Sequence, residues 1–186
     1  MSEISKYPIN IRASWHEYNG GMYFVTICTK DKEHYFGEIA DGKMNLTDIG
    51  LFADEQFRNV TAHYHYSEIP VWVVMPNHIH AIVIINNEFG LNDEKYSKSC
   101  RVVARNDATN EKNEYMSSLS PKQNTLSVVI RGLKSAITKF ANEHSIPFAW
   151  QPRFYDHIVR NSTEMNAIAE YIENNVVKWD LDELLD

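Results

Sequence analysis

Val71-Trp72-Val73-Val74-Met75-Pro76-Asn77-His78-Ile79-His80-Ala81-Ile82-Val83-Ile84-Ile85 decides how this chain is read. The run is too apolar and β-branched to be surface, and Pro76-Asn77 divides it into two strands. Side chains alternate faces along a strand, so His78 and His80 share one face while Ile79 packs on the other. A polar group buried without a partner costs roughly 1–3 kcal/mol. Two imidazoles on one face of such a run therefore point to a site, and a pair at i and i+2 can converge on one metal ion. The plainer alternative is a pair of core histidines bonded to backbone carbonyls.

The neighbouring elements follow from periodicity and turn chemistry. Met22 to Thr29 is rich in aromatic and β-branched residues and reads as a strand. Asp41-Gly42 is a tight-turn pair joining Tyr35–Ile39 to Lys43–Leu46 in a small hairpin. A helix capped by Thr47 or Asp48 runs to about His63, with Ile49, Phe52, Phe57 and Val60 inward, and Pro70 opens the strand at Val71. Leu126, Ile130, Leu133, Ile137 and Phe140 recur at steps of four and three, the stripe of an amphipathic helix. Gly132 within it costs up to ~1 kcal/mol and allows a close approach. Phe154 to Arg160 is a short strand. Asn161 with Glu164 resembles a capping box for a last helix whose apolar stripe is Met165, Ile168, Ile172 and Val176. Tyr171 and Asn175 lie one turn apart on the edge of that stripe.

The order strand, helix, strand, strand, helix, strand, terminal helix suits an α+β sandwich of the ferredoxin-like type, an antiparallel sheet with helices on one face. Right-handed crossovers are expected, with the second and third strands on opposite sides of the sheet core. The segment 86–124 is polar throughout and reads as a flexible insertion, in which Arg101 to Arg105 could order on a partner.

With 186 residues, 44% of them apolar, the chain has material for one domain and a substantial core. No apolar run approaches the ~18–20 residues of a membrane span, and the N-terminus lacks the form of a signal peptide. Two cysteines, Cys28 and Cys100, make neither a disulfide framework nor a thiolate metal site, so a cytoplasmic setting is expected. The net charge of −7 argues against a phosphate-rich partner. The charge is uneven, however. Lys122 to Arg160 carries six basic residues against two acidic ones, while the last seven residues hold four carboxylates. A local basic surface is compatible with that distribution.

A metal on two neutral histidines needs a further ligand and open positions for substrate. A tyrosine from a nearby helix can attack phosphorus and form a covalent phosphotyrosine. Met75-Pro76-Asn77-His78-Ile79-His80 resembles the His-hydrophobe-His (HUH) motif of single-tyrosine transposases. Trp150-Gln151-Pro152-Arg153-Phe154-Tyr155-Asp156-His157-Ile158-Val159-Arg160-Asn161 is similar to the segment before the catalytic helix of the REP-associated tyrosine transposases, and Tyr171 to Lys178 resembles their terminal helix. The three blocks place the likeness over about residues 15 to 180, and a single domain is expected over 1–186.

The resemblance implies a ferredoxin-like fold, Mg²⁺ or Mn²⁺, and cleavage and rejoining of single-stranded DNA at hairpin or palindromic repeats. It implies His78 and His80 as metal ligands, Asn175 as the third, and Tyr171 as the nucleophile that ends on the DNA 5′ phosphate. The chain departs from the pattern at Asn175-Val176, where the family often has Asn-Pro, and in the length of its polar insertion. Arg131, Lys134, Lys139, Arg153 and Arg160 are candidates for a backbone-binding surface, with solvation the alternative for each. Trp150 and Phe154 could stack on bases or pack in the core. Tyr155 rivals Tyr171, and Asn175 could merely cap its helix. His157 reads as structural or as a phosphate contact. Monomer and homodimer stay open. The competing functions are a repeat-hairpin DNA-binding protein without cleavage and a metal hydrolase that uses water.

Overall fold

The computed structural model describes residues 18–86 and 124–179. The N-terminal segment, Cys100, the 86–124 insertion with Arg101 to Arg105 (apart from its two end residues), and the acidic C-terminal run lie outside them. Among the described residues the β-strands and α-helices are, in order, β1 (Gly21–Cys28), β2 (Gly37–Ala40), β3 (Lys43–Leu46), α1 (Asp48–Arg58), α2 (Val60–His63), β4 (Ser67–Val74), β5 (His78–Ile85), α3 (Leu126–Glu143), β6 (Tyr155–Val159) and α4 (Ser162–Glu173).

Four strands form one sheet in the order β4-β5-β1-β6, and every neighbouring pair is antiparallel. With one helical crossover between β1 and β4 and another between β5 and β6, this is the ferredoxin-like α+β arrangement. The β2–β3 hairpin turns at Asp41-Gly42 as its sequence requires and stands apart as a two-stranded sheet. The expectation that the second and third core strands lie on opposite sides of the sheet core is corrected. β4 and β5 are hydrogen-bonded neighbours, because the short connection through Met75-Pro76-Asn77 leaves room only for a hairpin.

The two faces of the sheet differ in kind. Tyr23, Val25 and Ile27 of β1 and Ile79, Ala81, Val83 and Ile85 of β5 are buried on one face in a single cluster with α1 and α3. From α3 that cluster takes Leu126, Ile130, Leu133 and Ile137 of the predicted stripe together with Val129 and Ala141, while Phe140 is only partly buried against it. Phe52 of α1 stacks flat on Phe140 of α3, with centroids 4.2 Å apart. The opposite face carries Phe24, Thr26, His78 and His80, and α4 crosses it. Helices thus cover both faces and not only the expected one: α1, α2 and α3 lie on one side and the terminal helix on the other.

Three boundaries differ from their sequence reading. The helix expected to reach His63 breaks at Asn59, whose backbone leaves helical values (φ −100°, ψ 18°), as expected of a side chain that competes for local hydrogen bonds. β4 starts at Ser67, ahead of Pro70. An edge strand tolerates proline, and the pairing with β5 slips between Glu68 and Val71. α4 stops at Glu173, so Asn175 and Val176 stand in the turns beyond it.

Gly132 fulfils its expected role. A methyl group there would collide with the Tyr64 ring and hydroxyl, so the glycine lets α3 lie directly against that side chain. Gly132→Ala is expected to lower unfolding stability by about 1–3 kcal/mol in a denaturant titration, through overpacking despite a gain in helix propensity. A variant as stable as the parent would mean that Tyr64 does not occupy that space.

Candidate active site

β1 and β5 pair with Thr26 opposite His80 and Cys28 opposite His78. Directly opposed residues project from the same side of a sheet, so this register lays Thr26 beside the second imidazole. His80 Nδ1 lies 2.9 Å from Thr26 Oγ1, and His78 Nδ1 lies 2.7 Å from Asn77 Oδ1. The Asn77 carbonyl oxygen can only accept, so Nδ1 of His78 carries the proton and its Nε2 bears the lone pair. The same tautomer for His80, with Nδ1–H donated to Thr26, leaves its Nε2 lone pair facing outward. The ring centroids are 4.4 Å apart.

Both rings are buried, His78 completely. Burial, the neighbouring His80 and the Lys32 ammonium hold His78 well below the usual imidazole range, and burial pushes His80 down to about 4. Both are therefore neutral at physiological pH, the form that ligates metals.

Tyr171 of α4 brings its hydroxyl to 3.3 Å from His80 Nε2. Its ring stands edge-on to Phe24, which in turn packs against His80. Tyr171 as a whole is 43% exposed, although its hydroxyl meets a buried imidazole. Proton transfer to His80 alone is unfavourable. A phenol in water titrates near ~10, so passing its proton to an imidazole at about 4 costs roughly 8 kcal/mol. Tyr171 and His80 therefore do not serve on their own as an acid and its base.

The chain after α4 stays on this face. Trp179 lies nearly parallel to His78 at 6.1 Å, with His34 against its edge. The segment is thus pinned by Tyr171 on His80 and by Trp179 on His78. Midway along it, Asn175 is buried, with its Oδ1 accepting no hydrogen bond among the described residues. An amide oxygen buried in this way is suited to a cation or an unseen donor. Among the described residues no three His, Cys, Asp or Glu side chains converge as a group that could hold a metal ion.

The other expected residues are dispersed. Arg131, Lys134 and Lys139 line a groove on the outer side of α3, the layer across the sheet from His78 and His80. Lys134 donates to the carbonyls of Gln151 and Arg153 at 2.8 and 2.9 Å and lies over the Trp150 ring. It ties down the loop before β6. Lys139 pairs with Glu143. Arg153 and Arg160 are exposed at either end of β6. Trp150 packs on Phe36 and Phe148 and donates to the Lys134 carbonyl, and Phe154 is packed against the core. His157 meets the Glu164 carboxylate at 2.8 Å, and that carboxylate also accepts from Arg160 N–H while Asn161 caps α4. This cluster fixes the start of the helix that carries Tyr171. Asn77, Thr26, Phe24 and Trp179 were not singled out by sequence. For the first two a signal existed: a polar residue next to His78, and a threonine alternating in phase with Phe24 on β1.

The protonation sign is testable. His80 titrates at about 4 in the folded chain against ~6.5 unfolded, so the unfolded chain binds its proton first as pH falls. Stability is then full above pH ~6.5 and drains between ~6.5 and about 4, by roughly 3 kcal/mol from this residue. Denaturant unfolding in EDTA across that range is expected to show the loss, and His80→Gln to reduce it by that share while the share of His78 stays. A flat profile in the unsubstituted chain would contradict the neutral, buried imidazole.

No model of an established protein family matches the chain. An uncharacterised protein of Haemophilus influenzae is 32% identical over 177 residues, spanning 94% of this chain and 91% of its own length. Among solved structures, a REP-associated tyrosine transposase bound to a REP hairpin superposes with a TM-score of 0.53 at 20% identity, covering 98% of this chain and 77% of that one. At that identity the likeness is one of fold.

Proposed function

We propose that this chain, which belongs to the same family as the Haemophilus influenzae protein, is a metal-dependent strand transferase of the single-tyrosine HUH type. Its substrate is single-stranded DNA at hairpin repeats. The observation that carries this reading is the Tyr171 hydroxyl 3.3 Å from His80 Nε2, on the sheet face that also holds His78. The solved hairpin-bound transposase with the same fold supports the choice of DNA.

His78, His80 and Asn175 are the residues that would hold the cation. Two imidazole nitrogens and one amide oxygen form a mixed set that suits Mn²⁺ better than the harder Mg²⁺. When bound, a divalent cation polarises the phosphodiester and draws negative charge to itself. Asn77 and Thr26 hold the two rings by their Nδ1 atoms, which leaves the Nε2 atoms as the ones that would ligate a cation. Phe24 braces the Tyr171 ring edge-on and the His157–Glu164 contact anchors the start of α4, which together orient the hydroxyl.

In the reaction the Tyr171 oxygen bonds to phosphorus as the phenolic proton leaves to solvent. The bond from phosphorus to the DNA 3′ oxygen breaks, and that oxygen takes up a proton to become a 3′-hydroxyl. The 5′ phosphate stays on Tyr171. Attack by a second 3′-hydroxyl reverses the step and joins the new ends. Bond energy is conserved in the phosphotyrosine, so no external energy source is required.

Incubation with hairpin-bearing single-stranded DNA and Mn²⁺ is expected to give a denaturation-resistant protein–DNA adduct. Tyr171→Phe should abolish it, and His80→Ala should slow it about a hundredfold or more. Cleavage that survives in Tyr171→Phe would assign water as the nucleophile. Hairpin binding with no adduct under any metal would make the protein a binder.

A further inference from the structure

Among the aromatic side chains of the described residues, Tyr155 and Tyr171 are the markedly exposed large ones, at 42% and 43%, and both stand on the face with the histidines. Tyr155 pairs across β6–β1 with Thr26, and Thr26 pairs across β1–β5 with His80. The three side chains form one row across the sheet, which sets Tyr155 two strand spacings, roughly 10 Å, from His80. Between the two tyrosines stands Phe24, edge-on to each with centroids 6.5 Å and 6.1 Å away. Tyr155 thus meets Phe24 with part of its surface and leaves the rest open. Arg153, two residues earlier and exposed, adds positive charge at this edge.

We infer that Tyr155 is a stacking platform for an unpaired nucleobase next to the phosphodiester at Tyr171, which makes it a positioning residue for the strand. The inference rests on the reading under Proposed function. Burying an aromatic face against a base is sequence-tolerant and stabilises the strand where it must lie still for in-line attack. The hydroxyl has no part in stacking. This separates the platform from the rival role of second nucleophile, in which only the oxygen matters.

The test measures binding without cleavage, in EDTA, by fluorescence anisotropy. The probes are a short unstructured single-stranded oligonucleotide and the same strand made abasic throughout. Tyr155→Val, which keeps a strand-forming residue on β6, is expected to weaken binding of the normal strand about tenfold and to leave the abasic strand unchanged. Tyr155→Phe is expected to bind like the parent. An equal loss on both strands would overturn the platform, as would a Tyr155→Phe loss as large as that of Tyr155→Val, no loss in Tyr155→Val, or no binding of either strand by the parent. The base-dependent loss without any covalent adduct would uphold the platform and sink the transferase. An adduct with no effect of Tyr155→Val would do the reverse.

Discussion

Two neutral imidazoles held side by side on a buried sheet face are the constraint on which the rest of this structure depends. Burial removes the water that would let them charge, and for His78 the neighbouring His80 and Lys32 add to that effect. Such groups need polar partners or they unfold the strand that carries them. Asn77 and Thr26 supply those partners on one nitrogen of each ring, and the other nitrogen of His80 meets the Tyr171 hydroxyl. Neither partner is independent of the fold. Asn77 belongs to the β4–β5 connection, and Thr26 reaches His80 only in the register that β1 and β5 adopt.

The sheet divides its labour between faces. On one, α1 and α3 bury a continuous apolar cluster that accounts for most of the core. On the other, the packing is sparse and polar groups are concentrated. Of the residues in α4 only Ile172 is buried, so the helix is held as much by its ends as by its side. Its start is fixed by Asn161 and by the His157–Glu164 contact, and the chain beyond its end by Trp179 on His78. That arrangement suits an element whose duty is to present one exposed side chain. It also leaves that face with little apolar covering from the helix.

Local features were legible in the sequence and long-range ones were less so. The periodicity from Leu126 to Phe140, the Asp41-Gly42 turn and the Asn161 cap each depend on neighbours within a few residues, and each appears where expected. The likeness of three separated blocks brought His78, His80 and Tyr171 to attention, and the fold sets them on one face. The contacts of Thr26 with His80 and of Trp179 with His78 depend on strand order and tertiary packing, which no local pattern encodes, whereas the adjacency of β4 and β5 was available in their short connection. The basic residues of α3 show the same limit. Arg131 and Lys139 lie across the sheet from the histidines, and Lys134 serves two loop carbonyls. A count of lysines and arginines along the chain carries no information on which layer they occupy.

The central claim is that His78 and His80 form one cation seat facing Tyr171. Pulsed electron paramagnetic resonance of Mn²⁺ added to the metal-free protein tests it most directly. Couplings to two imidazole nitrogens are expected, with one lost in His78→Ala and one in His80→Ala. A bound Mn²⁺ that shows no imidazole coupling, or whose spectrum is the same in both variants, would contradict the account.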